Sequence, residues 1–171
     1  KKISKRILKN IDLNKISTYP EPFKLYQLLA QNHKVNLNQI VLTPGSDAGI
    51  KNCIELCFRG NKSNNELISL NPSYEMVKVY AKLYKIKHKT INYDQNLTIK
   101  IEKILKAINK KTSLIVLANP NSPTGTIIKN NDLRKIIIKA KKFKALVLID
   151  EAYHGFYKGT VIGMIKKYNN L

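Results

Sequence analysis

Asp150-Glu151-Ala152-Tyr153 follows directly on the apolar run Ala145 to Ile149 (ALVLI). A carboxylate at the mouth of an apolar sheet is costly unless it meets a cation, a metal or hydrogen-bond donors. Asp150 there either holds a protonated heterocyclic nitrogen or caps a turn. Gly45-Ser46-Asp47-Ala48-Gly49 opens a helix after a tight turn. Its free amide N–H groups attract a phosphate, or Ser46 or Asp47 caps its own helix. Neither a G-x-G-x-x-G fingerprint nor a P-loop Gly-Lys-Ser/Thr is present. Tyr74 and Tyr153 follow two different strands, as wall residues or as a ring face and a phenol for a ligand. In Asn119-Pro120-Asn121-Ser122-Pro123-Thr124-Gly125, two flanking prolines and a glycine hold Asn121 or Ser122 in a defined orientation, which suits a site better than a spacer. His33, His88 and His154 share no ligand spacing with carboxylates or cysteines, so no metal is expected.

These segments need a scaffold, and helical and strand signals alternate along the chain. Helices are expected over Phe23 to His33, Asp47 to Phe58 (Ile50, Ile54, Leu56 and Cys57 inward), Tyr74 to Tyr84 (Met76, Val77, Tyr80 and Leu83 apolar), Leu97 to Ile108 and Asn131 to Lys142. Strands are expected over Gln39 to Thr43, Glu66 to Leu70, Ile86 to Ile91, Ser113 to Ala118 and Ala145 to Ile149. Short runs apolar on both faces belong in a parallel sheet covered by helices. The expected fold is α/β: three layers, a mostly parallel doubly wound sheet with helices on both faces. Ligands bind outside the carboxyl ends of such strands, where all four polar segments fall.

Composition narrows the classes. The 171 residues are 43% hydrophobic and 25% charged, enough for a core and unlike a disordered tail. No apolar stretch approaches the roughly 20 residues of a membrane-spanning helix, and Lys1 to Arg6 leads into no signal-peptide core. Cys53 and Cys57 are the only cysteines, which fits a reducing cytoplasm rather than a disulfide scaffold. The net charge of +20 comes from 28 Lys and only 3 Arg (Arg6, Arg59, Arg134). Proteins that read phosphates or bases lean on the bidentate Arg fork, so the surplus reads as compositional bias. Lys139, Lys141, Lys142 and Lys144 read as the solvated end of a helix.

The loop Asn119 to Gly125 followed by Asp150-Glu151-Ala152-Tyr153 resembles the fold-type-I pyridoxal-phosphate aminotransferases, with the histidinol-phosphate aminotransferase branch most similar. Tyr19-Pro20-Glu21-Pro22, Gly45-Ser46-Asp47 and Pro72-Ser73-Tyr74-Glu75-Met76 match in order and rough spacing, from about Lys9 to Leu171. The resemblance implies that residues 1–171 are part of the large cofactor-binding domain, in a cytoplasmic enzyme that works as a homodimer. It implies transfer of an amino group, from glutamate, to a 2-oxo acid or phosphorylated keto substrate. Ser46 and Asp47 would give backbone N–H groups to the phosphate of pyridoxal 5′-phosphate, and Tyr74 would stack on its ring. Asp150 would pair with the ring nitrogen, Ala152 would lie under the ring, and Tyr153 would bond the 3-hydroxyl. Tyr19 would reach the phosphate of the neighbouring subunit.

Two departures stand out. The family reads Asn-Asn-Pro-Thr-Gly, and its second Asn contacts the 3-hydroxyl. Here that position is Ser122: either Ser122 makes a weaker contact, or Asn121 one residue earlier, the preferred choice, takes it over. The acidic residue usual after Gly-Ser-Asp is Ala48. The family's catalytic lysine segment and carboxylate-gripping arginines are not found, and Lys158, Lys166 and Lys167 lack the context to replace the lysine. The chain alone is therefore expected to attach no cofactor covalently and to have little transaminase activity. The alternatives are a decarboxylase of the same fold, a non-catalytic domain of that fold, or a basic nucleic-acid-binding module.

Overall fold

A computed structural model describes residues 2–60 and 65–171. The chain forms two compact units, Lys1–Val41 and Leu42–Leu171.

The N-terminal unit is helical: α1 (Lys2–Lys9), α2 (Leu13–Ser17) and α3 (Phe23–His33), then a 3-10 turn at Leu37–Gln39. Asp12 caps α2 by accepting the Asn14 N–H at 3.1 Å. Pro22 precedes α3, which ends at Lys34 in the left-handed region (φ 54°). α3 occupies the expected span and buries none of its residues.

In the second unit α4 (Ser46–Phe58) precedes β1 (Glu66–Asn71), α5 (Met76–Leu83), β2 (Lys87–Asn92), α6 (Ile101–Ala107), β3 (Thr112–Ala118), α7 (Asn130–Lys142) and β4 (Leu146–Asp150). The sheet order is β2-β1-β3-β4, with every pair parallel. The sequence dictates who sits inside. β3 is buried at every position and β1 at all but Asn71, whereas β2, with Lys87 and Lys89 exposed, is an edge.

From β1 the chain steps to one side for β2, then crosses back beyond β1 for β3. Right-handed crossovers in opposite directions put their helices on opposite faces. Side-chain parity agrees. Ile68, Leu70, Ile115 and Leu117 pack with Ile104 of α6 and with Leu133, Ile136 and Ile137 of α7. Leu67, Leu114 and Val116 pack with Ile50 and Ile54 of α4 and with Val77, Tyr80 and Ala81 of α5. The three-layer, parallel, doubly wound α/β architecture is the one expected. The reversal between β1 and β3 opens a crevice at their carboxyl ends.

Three expectations need correction. Gln39 to Thr43 is not a strand: Gln39 ends the 3-10 turn, the Ile40 N–H bonds Leu37 O, and Val41 is exposed. The run forms no ladder with any of the four described strands. The helix expected from Leu97 begins at Ile101, because Asp94 collects the N–H groups of Asn96 and Thr98 and the Thr98 hydroxyl. That turn leaves Leu97 at φ 54°. Leu56 is exposed rather than inward. It lies two residues, about 200° of helix, beyond buried Ile54, so it faces the opposite side.

Candidate functional site

The site is built from the ends of β1, β3 and β4 and the start of α4. At the helix start, the Gly45 N–H bonds Thr43 O at 2.7 Å and the Thr43 hydroxyl bonds Gly45 O at 2.8 Å. The tight turn puts Gly45 at φ 86°, ψ 168°, a conformation that L side chains rarely adopt, and α4 begins at Ser46. The first-turn amides of α4 lack partners within the helix and carry the positive end of its dipole.

After β3, Asn119 is buried and clasps the far side of its own loop. Its amide donates to Ile128 O at 3.2 Å and accepts the Ile128 N–H at 2.8 Å. The Asn119 N–H reaches Asp150 O at 2.8 Å, tying the β3 loop to the end of β4. Asn121 joins two loops. Its Oδ1 accepts the Ser73 hydroxyl at 2.6 Å, and its Nδ2 donates to Pro72 O at 3.0 Å and Thr124 Oγ1 at 2.8 Å. At β4, Asp150 Oδ1 accepts the Ala152 N–H at 2.9 Å, while Oδ2 takes no hydrogen bond from any described residue. Glu151 turns the other way, accepting the Thr160 hydroxyl and the Val161 N–H.

One cleft of about 190 Å³ lies between these parts. Its walls are Ser46 of α4, Tyr74 after β1, Ala118 and Ser122 around the end of β3, and Asp150, Ala152 and Tyr153 at the end of β4. A larger apolar hollow of about 610 Å³ shares Ser122 and Tyr153 with it and continues past Ile127, Phe156 and Tyr157. Tyr153 and Phe156 pack ring to ring, with centroids 6.3 Å apart.

Beneath the wall, Asp47 takes two phenols: Tyr74 Oη donates to Oδ1 at 3.2 Å and Tyr80 Oη to Oδ2 at 2.6 Å. Burial, followed by the bond to Asp47 and the charges of Asp47 and Asp150, raises the Tyr74 phenol above its usual pKa. The bond to Asp47, with burial, pushes Tyr80 up to about 12. Both stay protonated and donate at neutral pH. Among the described residues no group of three or more His, Cys, Asp or Glu side chains could hold a metal ion.

The structure thus brings Ser46, Tyr74, Asp150 and Tyr153 around one cavity. Asp47 is adjacent, with its carboxylate spent on the two tyrosines. Asn121 lines the adjoining larger hollow rather than the cleft itself. Its side chain is 3% exposed and committed to three protein partners, and Ser122 is the residue on the cleft wall. Tyr19 belongs to the N-terminal unit, where it is 96% exposed. Two contributors escaped the sequence. Ala118 is the last apolar residue of a buried strand, and Tyr80 reads as one more core position at helical spacing.

The family model for class I and II aminotransferases matches residues 2–171. The chain belongs to that family. Relatives include the histidinol-phosphate aminotransferase of Flavobacterium psychrophilum, 39% identical over 163 residues (92% of this chain and 45% of that enzyme). The histidinol-phosphate aminotransferase of Clostridium novyi is 30% identical over 174 residues (100% and 47%). This aminotransferase chain therefore spans about half the length of the curated relatives it matches. Its fold is shared with the histidinol-phosphate aminotransferase structure from Clostridium acetobutylicum (TM-score 0.78, 24% identity, covering 96% of this chain and 49% of that one). It is also shared with the Sinorhizobium meliloti enzyme solved in complex with pyridoxal-5′-phosphate (TM-score 0.66, 20% identity, 80% and 37%).

Proposed function

We propose that residues 1–171 are the cofactor-cradling part of the large domain of a pyridoxal-phosphate aminotransferase of the histidinol-phosphate aminotransferase kind. The observation that carries this is the single cleft lined by Ser46, Tyr74, Ser122, Asp150 and Tyr153. Its donor set fits the cofactor: unpartnered helix-start amides for an anion, an aromatic wall for a ring, and a carboxylate for a protonated nitrogen.

The cleft's arrangement supports the following roles. The Ser46 and Asp47 N–H groups hold the phosphate through hydrogen bonds and the helix dipole. Tyr74 offers its ring face, held by the phenol's bond to Asp47. Asp150, with Oδ1 fixed by the Ala152 N–H, leaves Oδ2 to keep the ring nitrogen protonated. Ala118 and Ala152 keep the floor shallow enough for a planar ring. Ser122 and the Tyr153 phenol serve the ring's 3-hydroxyl. When bound, the cofactor supplies an electron-withdrawing ring that favours removal of a proton from the substrate's α-carbon.

The substrates are an amino donor, glutamate, and a 2-oxo acid or phosphorylated keto acceptor, whose side chain would occupy the apolar hollow. No lysine among the described residues lines the cleft, so these residues would hold the cofactor without a covalent bond and the chain alone would transfer amino groups poorly. The full-length enzyme is a homodimer, with Tyr19 serving the neighbouring subunit's phosphate. The two free cysteines suit a cytoplasmic setting.

The test uses pyridoxamine 5′-phosphate, because an aldehyde would also react with the 28 surface-rich lysines. Equilibrium dialysis should show saturable binding by the folded chain and about tenfold weaker binding by Asp150→Asn, the loss of one charge-assisted bond at a half-exposed position. Equal binding by both, or none by the wild type, would remove the support for the proposal.

A further inference from the structure

The placement of Asp47 raises an electrostatic problem. A carboxylate in the first turn of α4 suits the helix dipole, yet it stands beside the amides that would receive a phosphate dianion. Like charges on one helix end oppose each other. The two phenols resolve it. Tyr80, about one turn into α5, is buried at 7% exposure and packs in the core between α4, α5 and the sheet. Its hydroxyl donates to Asp47 Oδ2 at 2.6 Å, the shorter of the two bonds, while Oδ1 receives Tyr74 at 3.2 Å.

We infer that Tyr80 is a positioning residue: by holding Oδ2 from within the core, it turns the Asp47 carboxylate onto α5, clear of the helix-start amides, and so leaves them open to a phosphate group. The second oxygen then anchors the phenol of Tyr74 at the cleft wall. Tyr80 touches no ligand and does not line the cleft. Its hydroxyl is the only buried polar group on α5. The inference rests on the α4 N-terminus being the phosphate seat.

Without the Tyr80 hydroxyl, Oδ2 loses a charge-assisted bond. The carboxylate is then free to swing toward the nearest donors, the amides of its own helix turn. Tyr80→Phe should therefore weaken pyridoxamine 5′-phosphate binding by roughly five- to tenfold, and binding of pyridoxamine without the phosphate by less than about twofold. Adding Asp47→Asn to Tyr80→Phe removes the wandering charge and should restore most of the lost affinity. A merely structural tyrosine would give a loss that Asp47→Asn does not repair. Equilibrium dialysis on the full chain reads both, with far-UV circular dichroism confirming the fold.

Should Tyr80→Phe not fold, Asp47→Asn alone decides. Neutralising a tethered carboxylate beside the phosphate should tighten phosphate binding a few-fold, and a tenfold loss would make the carboxylate itself a ligand contact and overturn the inference. Wild-type protein that binds neither compound overturns the cofactor proposal and this inference together. Wild-type binding matched by Tyr80→Phe, or a Tyr80→Phe loss that persists in the double variant, overturns this inference alone.

Discussion

Asn121 and Ser122 are neighbours in one loop, and the structure gives them opposite jobs that two substitutions separate. Asn121→Ala removes three hydrogen bonds, to Ser73, Pro72 O and Thr124, from a side chain that is 3% exposed. At about 1 kcal/mol net for each, with extra cost for the stranded Pro72 carbonyl and some relief where water reaches Ser73, the loss is about 2–4 kcal/mol. For a domain stable by about 5–15 kcal/mol that is a large fraction, and at this chain length it lowers the melting temperature by roughly 5–15 °C. Asn121→Asp keeps the acceptor for Ser73 and loses both donors, so it retains most of the cost. Ser122→Ala should change stability by less than about 0.5 kcal/mol, because no described residue bonds its hydroxyl, yet it removes a polar group from the cleft wall.

Urea unfolding followed by far-UV circular dichroism in the absence of ligand measures the first effect as a lower midpoint at constant slope. Equilibrium dialysis with pyridoxamine 5′-phosphate measures the second. If Asn121→Ala unfolds at the wild-type urea concentration, or Ser122→Ala proves the destabilising change, the division of labour between the two residues is refuted.

Other outcomes follow from packing and charge. Helices α3, α5 and α7 end with Lys34, Lys85 and Lys144 at φ 54–59°, each followed by an N–H reaching back five residues. Lys144→Gly should therefore raise stability by roughly 0.5–1 kcal/mol in urea unfolding. Ile54→Ala, at a side chain with 0% exposure, should cost about 2–4 kcal/mol, whereas Leu56→Ala at 74% exposure should stay within about 0.5 kcal/mol. Burial, reinforced by Lys78 and opposed by Glu75, lowers the pKa of His88, whose Nε2 meets Ser69 Oγ at 2.8 Å. The unfolded chain then takes up the proton first on acidification. Stability should fall from the ordinary histidine range down to the folded pKa, and His88→Gln should flatten that part of the urea midpoint against pH.

Much of the scaffold was legible because burial on two faces leaves a clear sequence trace. The largely apolar runs at Glu66 to Leu70 and Ser113 to Ala118 became the two central strands. What failed, failed where sequence is silent about partners. Gln39 to Thr43 has strand chemistry but forms no ladder with the four described strands, and Leu56 is apolar yet exposed. In the cleft, Asp150, Tyr74 and Ser46 were legible from their place after strands or at a helix start. Between Asn121 and Ser122 the sequence left the choice open, since adjacent residues in an irregular loop face different ways and only tertiary bonds decide which faces in. Tyr80 was hidden for the opposite reason: its ring fits an apolar stripe, and its hydroxyl matters only because Asp47 arrives from another helix.

The charge of +20 finds its explanation away from the cleft. Lys139, Lys141 and Lys142 crowd the last turn of α7, where cations meet the negative end of the helix dipole. Lys87 and Lys89 are exposed on the edge strand, where charge discourages a second sheet from pairing, and Lys78 and Lys135 meet Glu75 and Asp132 within their own helical turns. No lysine or arginine among the described residues lines the cleft. A phosphate there would be held by oriented amides rather than by a cationic side chain. Bonds from fixed amides in a recess are screened less by salt than the attraction of a dispersed lysine surface for a polyanion. The two kinds of anion binding available to this chain therefore differ in origin as well as in place, and the abundance of lysine says nothing about the cleft.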